Sequence, residues 1–286
     1  MRKYVSLVLF AHTIFALPFA CIGFFLALNT TAYNFSWVSF ALMLACMVFA
    51  RNSAMAFNRY LDRSIDAKNP RTATRDIPVG KVKPQEALVF TVLNSGLFIT
   101  STYFINPLCL ALSPIALLVV LGYSYTKRFT PLCHLVLGLG LALAPIGAYL
   151  VVTGAFAWTP VFFSLAVLCW VSGFDIIYAL QDEAFDKQEK LFSIPAWLGA
   201  KKALRVSEIL HVLALFCLIM PLFYTTLSWF YLAGLAFFAT MLVYQHRLVK
   251  PNDLSKVDRA FQTTNGLASV IFAGCYFLDV WFRSPL

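Results

Sequence analysis

Read as apolar and polar positions, the chain is a series of long apolar runs separated by short polar connections. The runs fall at roughly 5–28, 36–57, 84–104, 107–125, 132–153, 159–181, 203–225, 227–248 and 260–282. Most reach the ~20 residues that cross a hydrocarbon core. Inside lipid the backbone must satisfy its own hydrogen bonds, so each run predicts a helix. The pattern predicts an all-α integral membrane protein with nine transmembrane helices. No linker or low-complexity stretch divides it, so 1–286 is expected to be a single polytopic domain. The two longest charged connections follow the second and sixth runs. That interval of four helices hints at an internal duplication of a four-helix unit, with a ninth helix added.

Charge alternates along the connections. Those near 29–35, 105–106, 154–158 and 226 carry no Lys or Arg. The basic residues concentrate at Arg59 to Lys83, Lys127–Arg128, Lys187 to Arg205 and Arg247 to Arg259. With nine spans, every Lys and Arg falls on one side, except Arg51 inside a run and Arg283 at the far end. The positive-inside rule then places the N-terminus and the charged connections in the cytoplasm. Arg2 and Lys3 before a long apolar run resemble a signal peptide. No clear small-x-small cleavage site follows, so the run is expected to be the first helix.

Composition agrees. Sixty per cent of residues are hydrophobic, 12% are charged, and mean hydropathy is +0.77, too little polar surface for a soluble domain of this size. The net charge of +9 needs no nucleic acid to explain it, since no basic arm or RNA-binding signature is present. The partner implied is the lipid bilayer. The seven cysteines are scattered singly through apolar runs with no CxxC pair, which predicts small apolar side chains and not disulfides or metal ligands.

The chemistry is concentrated where two runs end. The second ends in "NRYLDRSID", placing Asn58, Asp62 and Asp66 four residues apart; the sixth ends in "DIIYALQDEAFD", giving Asp175, Asp182 and Asp186. On a helix, side chains four apart share a face, so each end presents a ladder of oxygen ligands. Arg51, Asn58 and Asp62 repeat the 7-and-4 spacing of Asp175, Asp182 and Asp186. Arg51 and Asp175 therefore lie roughly 10 Å deeper than the residues two turns on. Clustered carboxylates repel one another and need a positive group to relieve them. Carboxylates and an amide without His or Cys suit a hard cation, Mg²⁺, which takes its remaining ligands from water and phosphates. Two facing ladders suggest a bridged diphosphate. Arg71 and Arg75 in "NPRTATR", Lys127 and Arg128 in "YSYTKR", and Lys187 and Lys190 are suitable cations nearby. No Walker loop is present, and a diphosphate in a membrane protein suggests a lipid diphosphate.

These stretches resemble the UbiA superfamily of intramembrane aromatic prenyltransferases, over almost the whole chain. Asn58, Asp62 and Asp66 match its NxxxDxxxD signature, Asp182 and Asp186 its DxxxD, Tyr123 and Lys127 its YxxxK element, and "NPRTATR" its RT-containing loop. Many members carry Asp after the first Asn, where this chain has Arg59. "GFDIIYALQDEAFD" followed by "SIPAWLG" is most similar to the bacterial 4-hydroxybenzoate polyprenyltransferase-like branch. That branch includes enzymes of the futalosine route to menaquinone.

The resemblance implies an enzyme of respiratory quinone biosynthesis in the bacterial cytoplasmic (inner) membrane, with its active site facing the cytoplasm. It transfers a polyprenyl group from polyprenyl diphosphate to a ring carbon of an aromatic acid acceptor, 4-hydroxybenzoate or a dihydroxynaphthoate. Asn58, Asp62, Asp66, Asp182 and Asp186 hold Mg²⁺. Tyr123 and Lys127 are catalytic, and Lys127 with Arg71 and Arg75 neutralises the leaving diphosphate. Arg51 either binds the acceptor's carboxylate or pairs with Asp175. Asp175 orients the phenol or accepts its proton. His12 either touches the acceptor or is structural, and Tyr178, Phe57 and Phe174 are aromatic faces for the allylic cation. His134, His211 and His246 read as loop or interface residues. Two rivals come from other classes. A cation-coupled transporter would place its acids at mid-depth on broken helices, and a lipid-binding scaffold gives no reason for two ladders.

Overall fold

The computed structural model describes residues 15–283. Among them the regular elements are helices, with one antiparallel bridge, Lys250–Asp253, closing a turn. Two compact units are distinguishable. One is Ser36–Thr126; the other joins the first described helix to everything from Lys127 onward.

The first unit contains α2 (Trp37–Leu61), the short α3 (Arg63–Lys68), α4 (Pro84–Tyr103) and α5 (Pro107–Thr126). The second contains α1 (Leu17–Thr30), α6 (Cys133–Thr153), α7 (Trp158–Ala179) and the short α8 (Glu183–Gln188). It continues with α9 (Ile194–Leu198), α10 (Ala200–Ile219), α11 (Trp229–Leu248) and α12 (Asn265–Arg283). Each apolar run contains one described helix, that of the first run being Leu17–Thr30. Six of the described helices are long and apolar enough to cross a membrane: α2, α5, α6, α7 running on to Gln188, α10 to Phe223, and α12 with its preceding turn. α1 is shorter, and α4 and α11 carry more polar side chains. All seven cysteines are free and partly buried.

The helices expose large apolar side chains that water would penalise, among them Leu93, Leu118, Val212 and Phe216. Lipid supplies the apolar surroundings, so helix association rests on close packing and on polar side chains bonding between helices. In the first unit Asn52 Nδ2 donates to Asn94 Oδ1 at 3.1 Å and Ser95 Oγ to Ser53 Oγ at 3.2 Å, joining α2 to α4. In the second, backbones approach where side chains are absent. A methyl at Gly23 of α1 would collide with the Pro145 carbonyl on α6, and one at Gly138 of α6 with the Leu168 carbonyl on α7. Trp170 Nε1 donates to Asn265 Oδ1 at 2.9 Å, while Asn265 Nδ2 donates to the carbonyls of Ala260 and Phe261. The loose carbonyls of the wide turn of π type at Arg259–Thr264 are therefore satisfied by Asn265 together with the Thr264 hydroxyl.

α11 begins with a cap from a distant helix. Asp279, fully buried on α12, accepts from the backbone N–H groups of Ser228 (2.9 Å) and Tyr231 (3.2 Å) and from the Ser228 hydroxyl. Its other oxygen pairs with Arg283 at 2.6 Å. Removing one partner of a buried charged pair leaves the other uncompensated. Asp279→Ala is expected to cost about 3 kcal/mol, read as a lower midpoint in thermal unfolding of the detergent-solubilised protein; an unchanged midpoint would show that the pair contributes nothing.

Candidate active site

The first acidic end is built by a helix that breaks at its middle acid. α2 continues through Asn58 to Leu61, and Asp62 follows with φ −87°, ψ 4°. This lies in the sparsely occupied bridge region of the backbone, where active-site residues are over-represented. The four-residue spacing nevertheless survives. Asp62 N donates to the Asn58 carbonyl at 2.9 Å, and Asp66 N to the Asp62 carbonyl at 2.7 Å. A regular helix through all three was expected; one interrupted at Asp62 carries them.

Asn58 Nδ2 donates to Asp62 Oδ2 at 3.0 Å, which orients the carboxylate and leaves the amide oxygen as a potential ligand. Asp62 and Asp66 are 2% and 3% exposed. Asp66 Oδ1 accepts from Arg75 Nη1 at 2.6 Å, whereas Asp66 Oδ2 is buried and has no hydrogen-bond partner. An orphaned carboxylate oxygen is costly unless something positive reaches it.

The "NPRTATR" loop is held by its own bonds. Asn69 Oδ1 accepts from Arg71 N at 3.0 Å, and Thr72 Oγ1 donates to the Asp66 carbonyl at 3.1 Å. Ile77 and Val82 anchor the following turns against Ala56 and Ala87. Arg59, the departure from the family pattern, is buried, with Asp66, Asp76 and Arg75 in electrostatic reach and Nη1 without a hydrogen bond. Tyr123 on α5 lies within reach of both Arg51 and Arg59.

The second acidic end repeats the break. α7 carries Asp175 and Tyr178, a 3₁₀ turn covers Leu180–Asp182, and Asp182 has φ −100°, ψ 1° before α8 begins with Glu183. Asp186 lies on α8, its carboxylate hydrogen-bonded by the Ser193 side chain, with Asp182 and Lys127 in electrostatic reach. Phe192 N donates to the Lys127 carbonyl at 2.7 Å, fixing the lysine's backbone beside the segment after α8. The YxxxK element therefore spans the unit boundary. Tyr123 belongs with the first acidic end and Lys127 with the second. Lys187 pairs with Glu183 at 2.6 Å on the same short helix.

Asp175 is joined by a residue that sequence reasoning placed among loop or interface positions. His134, 3% exposed at the start of α6, holds Asp175 Oδ2 at 2.6 Å through Nδ1. Its Nε2 accepts from the Ile194 backbone N–H at 3.3 Å. A ring nitrogen that accepts from an amide bears no proton, so the proton of neutral His134 sits on Nδ1 and is donated to the carboxylate. Only the chain's return at Ile194 reveals this, so no local signal could have found it. Tyr178 stacks on Phe261, with centroids 4.2 Å apart. Phe174 packs among Phe15, Trp170 and Phe261. His12 lies outside the described residues.

Among the described residues no three acidic, histidine or cysteine side chains gather as a ready-made metal centre. The donors nevertheless fit magnesium: hard oxygens, one of them the orphaned Asp66 Oδ2. Magnesium keeps several waters and commonly uses only one or two carboxylates together with substrate phosphates.

Known proteins share this sequence pattern and this fold. A 4-hydroxybenzoate octaprenyltransferase from Aeromonas hydrophila is 32% identical over 224 residues, covering 78% of this chain and 78% of that protein. The ligand-free structure of a UbiA homolog from Aeropyrum pernix K1 superposes with a TM-score of 0.84 at 33% identity, covering 94% of this chain and 98% of the other. A UbiA homolog from Archaeoglobus fulgidus, solved bound to DMAPP and Mg²⁺, shares the fold with a TM-score of 0.76 at 20% identity, over 98% of this chain and 99% of that one. The sequence profile of the UbiA prenyltransferase family matches residues 16–271, a stretch that contains both acidic ends and the YxxxK element. A multi-pass helical chain with these signatures in this order belongs to the UbiA prenyltransferase family.

Proposed function

We propose that this chain catalyses magnesium-dependent transfer of a polyprenyl group from polyprenyl diphosphate to a ring carbon of 4-hydroxybenzoate, a step of respiratory quinone biosynthesis. The observation that carries the reading is the repeated backbone break at Asp62 and Asp182, each followed four residues on by a second acid, Asp66 and Asp186. The identity to octaprenyltransferases that act on 4-hydroxybenzoate supports the acceptor.

Asn58, Asp62, Asp66, Asp182 and Asp186 hold the metal. Bound there, magnesium offsets the negative charge that grows on the leaving diphosphate. Lys127, Arg71 and Arg75 add fixed positive charge for the same purpose. Arg75 also keeps Asp66 in place through its 2.6 Å pair. The allylic C–O bond breaks, the diphosphate departs with its electrons, and an electron-rich ring carbon bonds to the allylic carbon. Arg51 holds the acceptor's carboxylate as a planar fork. Asp175, held in place by the Nδ1–H of His134, accepts the proton of the phenol or of the ring carbon. Tyr123 orients Arg51, and Tyr178 lends an aromatic face to the cationic fragment.

The two units act as one catalytic domain of nine spans, with the N-terminus and both acidic ends in the cytoplasm and the duplication as its origin. Exposed aromatics at helix ends support the membrane-spanning reading. Trp37, Tyr103, Trp158, Trp229 and Trp281 are exposed at ends remote from the basic connections, where an aromatic belt is expected.

Purified protein given a polyprenyl diphosphate, Mg²⁺ and each acceptor is expected to release diphosphate and yield prenylated 4-hydroxybenzoate by mass spectrometry. Product from a dihydroxynaphthoate alone would move the acceptor to the menaquinone route. Absence of diphosphate release with either acid would favour a transporter.

A further inference from the structure

Shortly after the second acidic end in the chain α10 begins, and there, with the end of α11, it lines a cavity of about 290 Å³. Lys201, Arg205 and Lys250 line it, with Glu208 as the one carboxylate. Buried Leu204 and Val249 contribute apolar lining. The antiparallel bridge between Lys250 and Asp253 fixes the backbone that carries Lys250. Three cations against one acid leave an excess of positive charge, which suits an anion.

His246 also lines the cavity. His211 Nε2 faces the Trp170 carbonyl at 3.2 Å, so that nitrogen carries the proton of His211. His211 Nδ1 is then an acceptor with a single lone pair, and Gln245 Nε2 lies 3.1 Å from it. His246 Nε2, 2.8 Å from the same nitrogen, is therefore a donor. This leaves His246 Nδ1 as a bare acceptor, and it is buried with no hydrogen-bond partner. A ligand that brings a hydroxyl donor as well as negative charge answers both features.

The third observation concerns the outer face of α10. Lys201, Arg205, Ile209, Val212, Phe216 and Ile219 succeed one another at helical spacing, and all are exposed. The stripe changes from cationic to apolar within two turns. A free anion has no use for the apolar part. A phospholipid uses both, with its phosphate at the cations and its acyl chains along the apolar continuation.

We propose that this cavity binds the headgroup of an anionic phospholipid bearing a hydroxyl, of the phosphatidylglycerol type. Phosphate oxygens meet Lys201, Arg205 and Lys250, and a glycerol hydroxyl donates to His246 Nδ1. None of these residues belongs to the proposed prenyl-transfer machinery.

Native mass spectrometry of the detergent-purified full-length protein, titrated with phosphatidylglycerol or phosphatidylcholine, tests this. Wild type is expected to retain phosphatidylglycerol in preference to phosphatidylcholine. Lys201→Gln and Arg205→Gln are each expected to weaken that retention about fivefold. Glu208→Gln, which removes the repelling carboxylate, should strengthen it, and Lys81→Gln, outside the cavity, should leave it alone. Unchanged thermal midpoints in detergent confirm that the variants are folded, and the opposite sign expected for Glu208→Gln cannot arise from misfolding. Equal retention of the two lipids, or retention insensitive to all three cavity substitutions, would overturn the proposal. Displacement of phosphatidylglycerol by equimolar inorganic phosphate would also overturn it, in favour of a free-anion site.

Discussion

Asp62→Asn is expected to lower kcat by about 10²–10³-fold, the scale on which a lost transition-state charge contact is felt, with a smaller loss of stability in the metal-free protein than Asp66→Asn. The two halves of this expectation come from one geometry. Asp62 is almost wholly buried, and its described hydrogen bond comes from the neutral amide of Asn58. The substitution removes the charge without enlarging or shrinking this buried side chain. Asparagine keeps the shape and can still face Asn58 after an amide flip. What the substitution removes is the affinity for a divalent cation. Asp182→Asn, at the matching break, is expected to act alike. Asp66→Asn is a useful contrast, because Asp66 also pairs with Arg75 and its loss should cost stability as well as rate. The check is steady-state kinetics across a magnesium titration beside thermal unfolding in chelator. Asp62→Asn with wild-type kcat at saturating magnesium would remove Asp62 from the metal set; a stability loss equal to that of Asp66→Asn would make its role structural.

Arg51→Ala is expected to raise KM for the aromatic acid about 10- to 100-fold, the range for losing a charge-assisted contact, with KM for the polyprenyl diphosphate nearly unchanged. A guanidinium within an apolar helix is expensive and calls for a partner or a task. Arg51 lies two turns before Asn58 on α2, with Tyr123 in reach. Arg51→Lys keeps the charge but loses the planar fork, so it should recover only part of the affinity. The separation of KM values distinguishes the two meanings of Arg51. A residue that only braces the fold disturbs both substrates or lowers the amount of folded protein, and equal changes in the two KM values would assign it that structural role.

How far such expectations can be read from the chain depends on the range of the interaction behind them. The runs that became α2, α5, α6, α7, α10 and α12 were legible because crossing hydrocarbon imposes a length and an apolar composition on consecutive residues. The acids at 58, 62 and 66 and at 182 and 186 were legible because helical periodicity places residues four apart together. Periodicity says nothing about where a helix gives way. The breaks at Asp62 and Asp182 and the 3₁₀ turn before α8 emerge only from the folded backbone.

By itself, then, the sequence determined the helical class, the positions of the long helices, the family and the identity of the oxygen-bearing residues. All of these depend on neighbours within a few turns. The tertiary structure alone decided which of these residues have which partners. It brought Ile194 to His134 and so set the tautomer that faces Asp175. It buried Arg59 among Asp66, Asp76 and Arg75, and it left Asp66 Oδ2 without a partner. Hydrogen bonds and desolvation act between groups close in space, and dozens of residues of chain can separate them, beyond the reach of any local pattern.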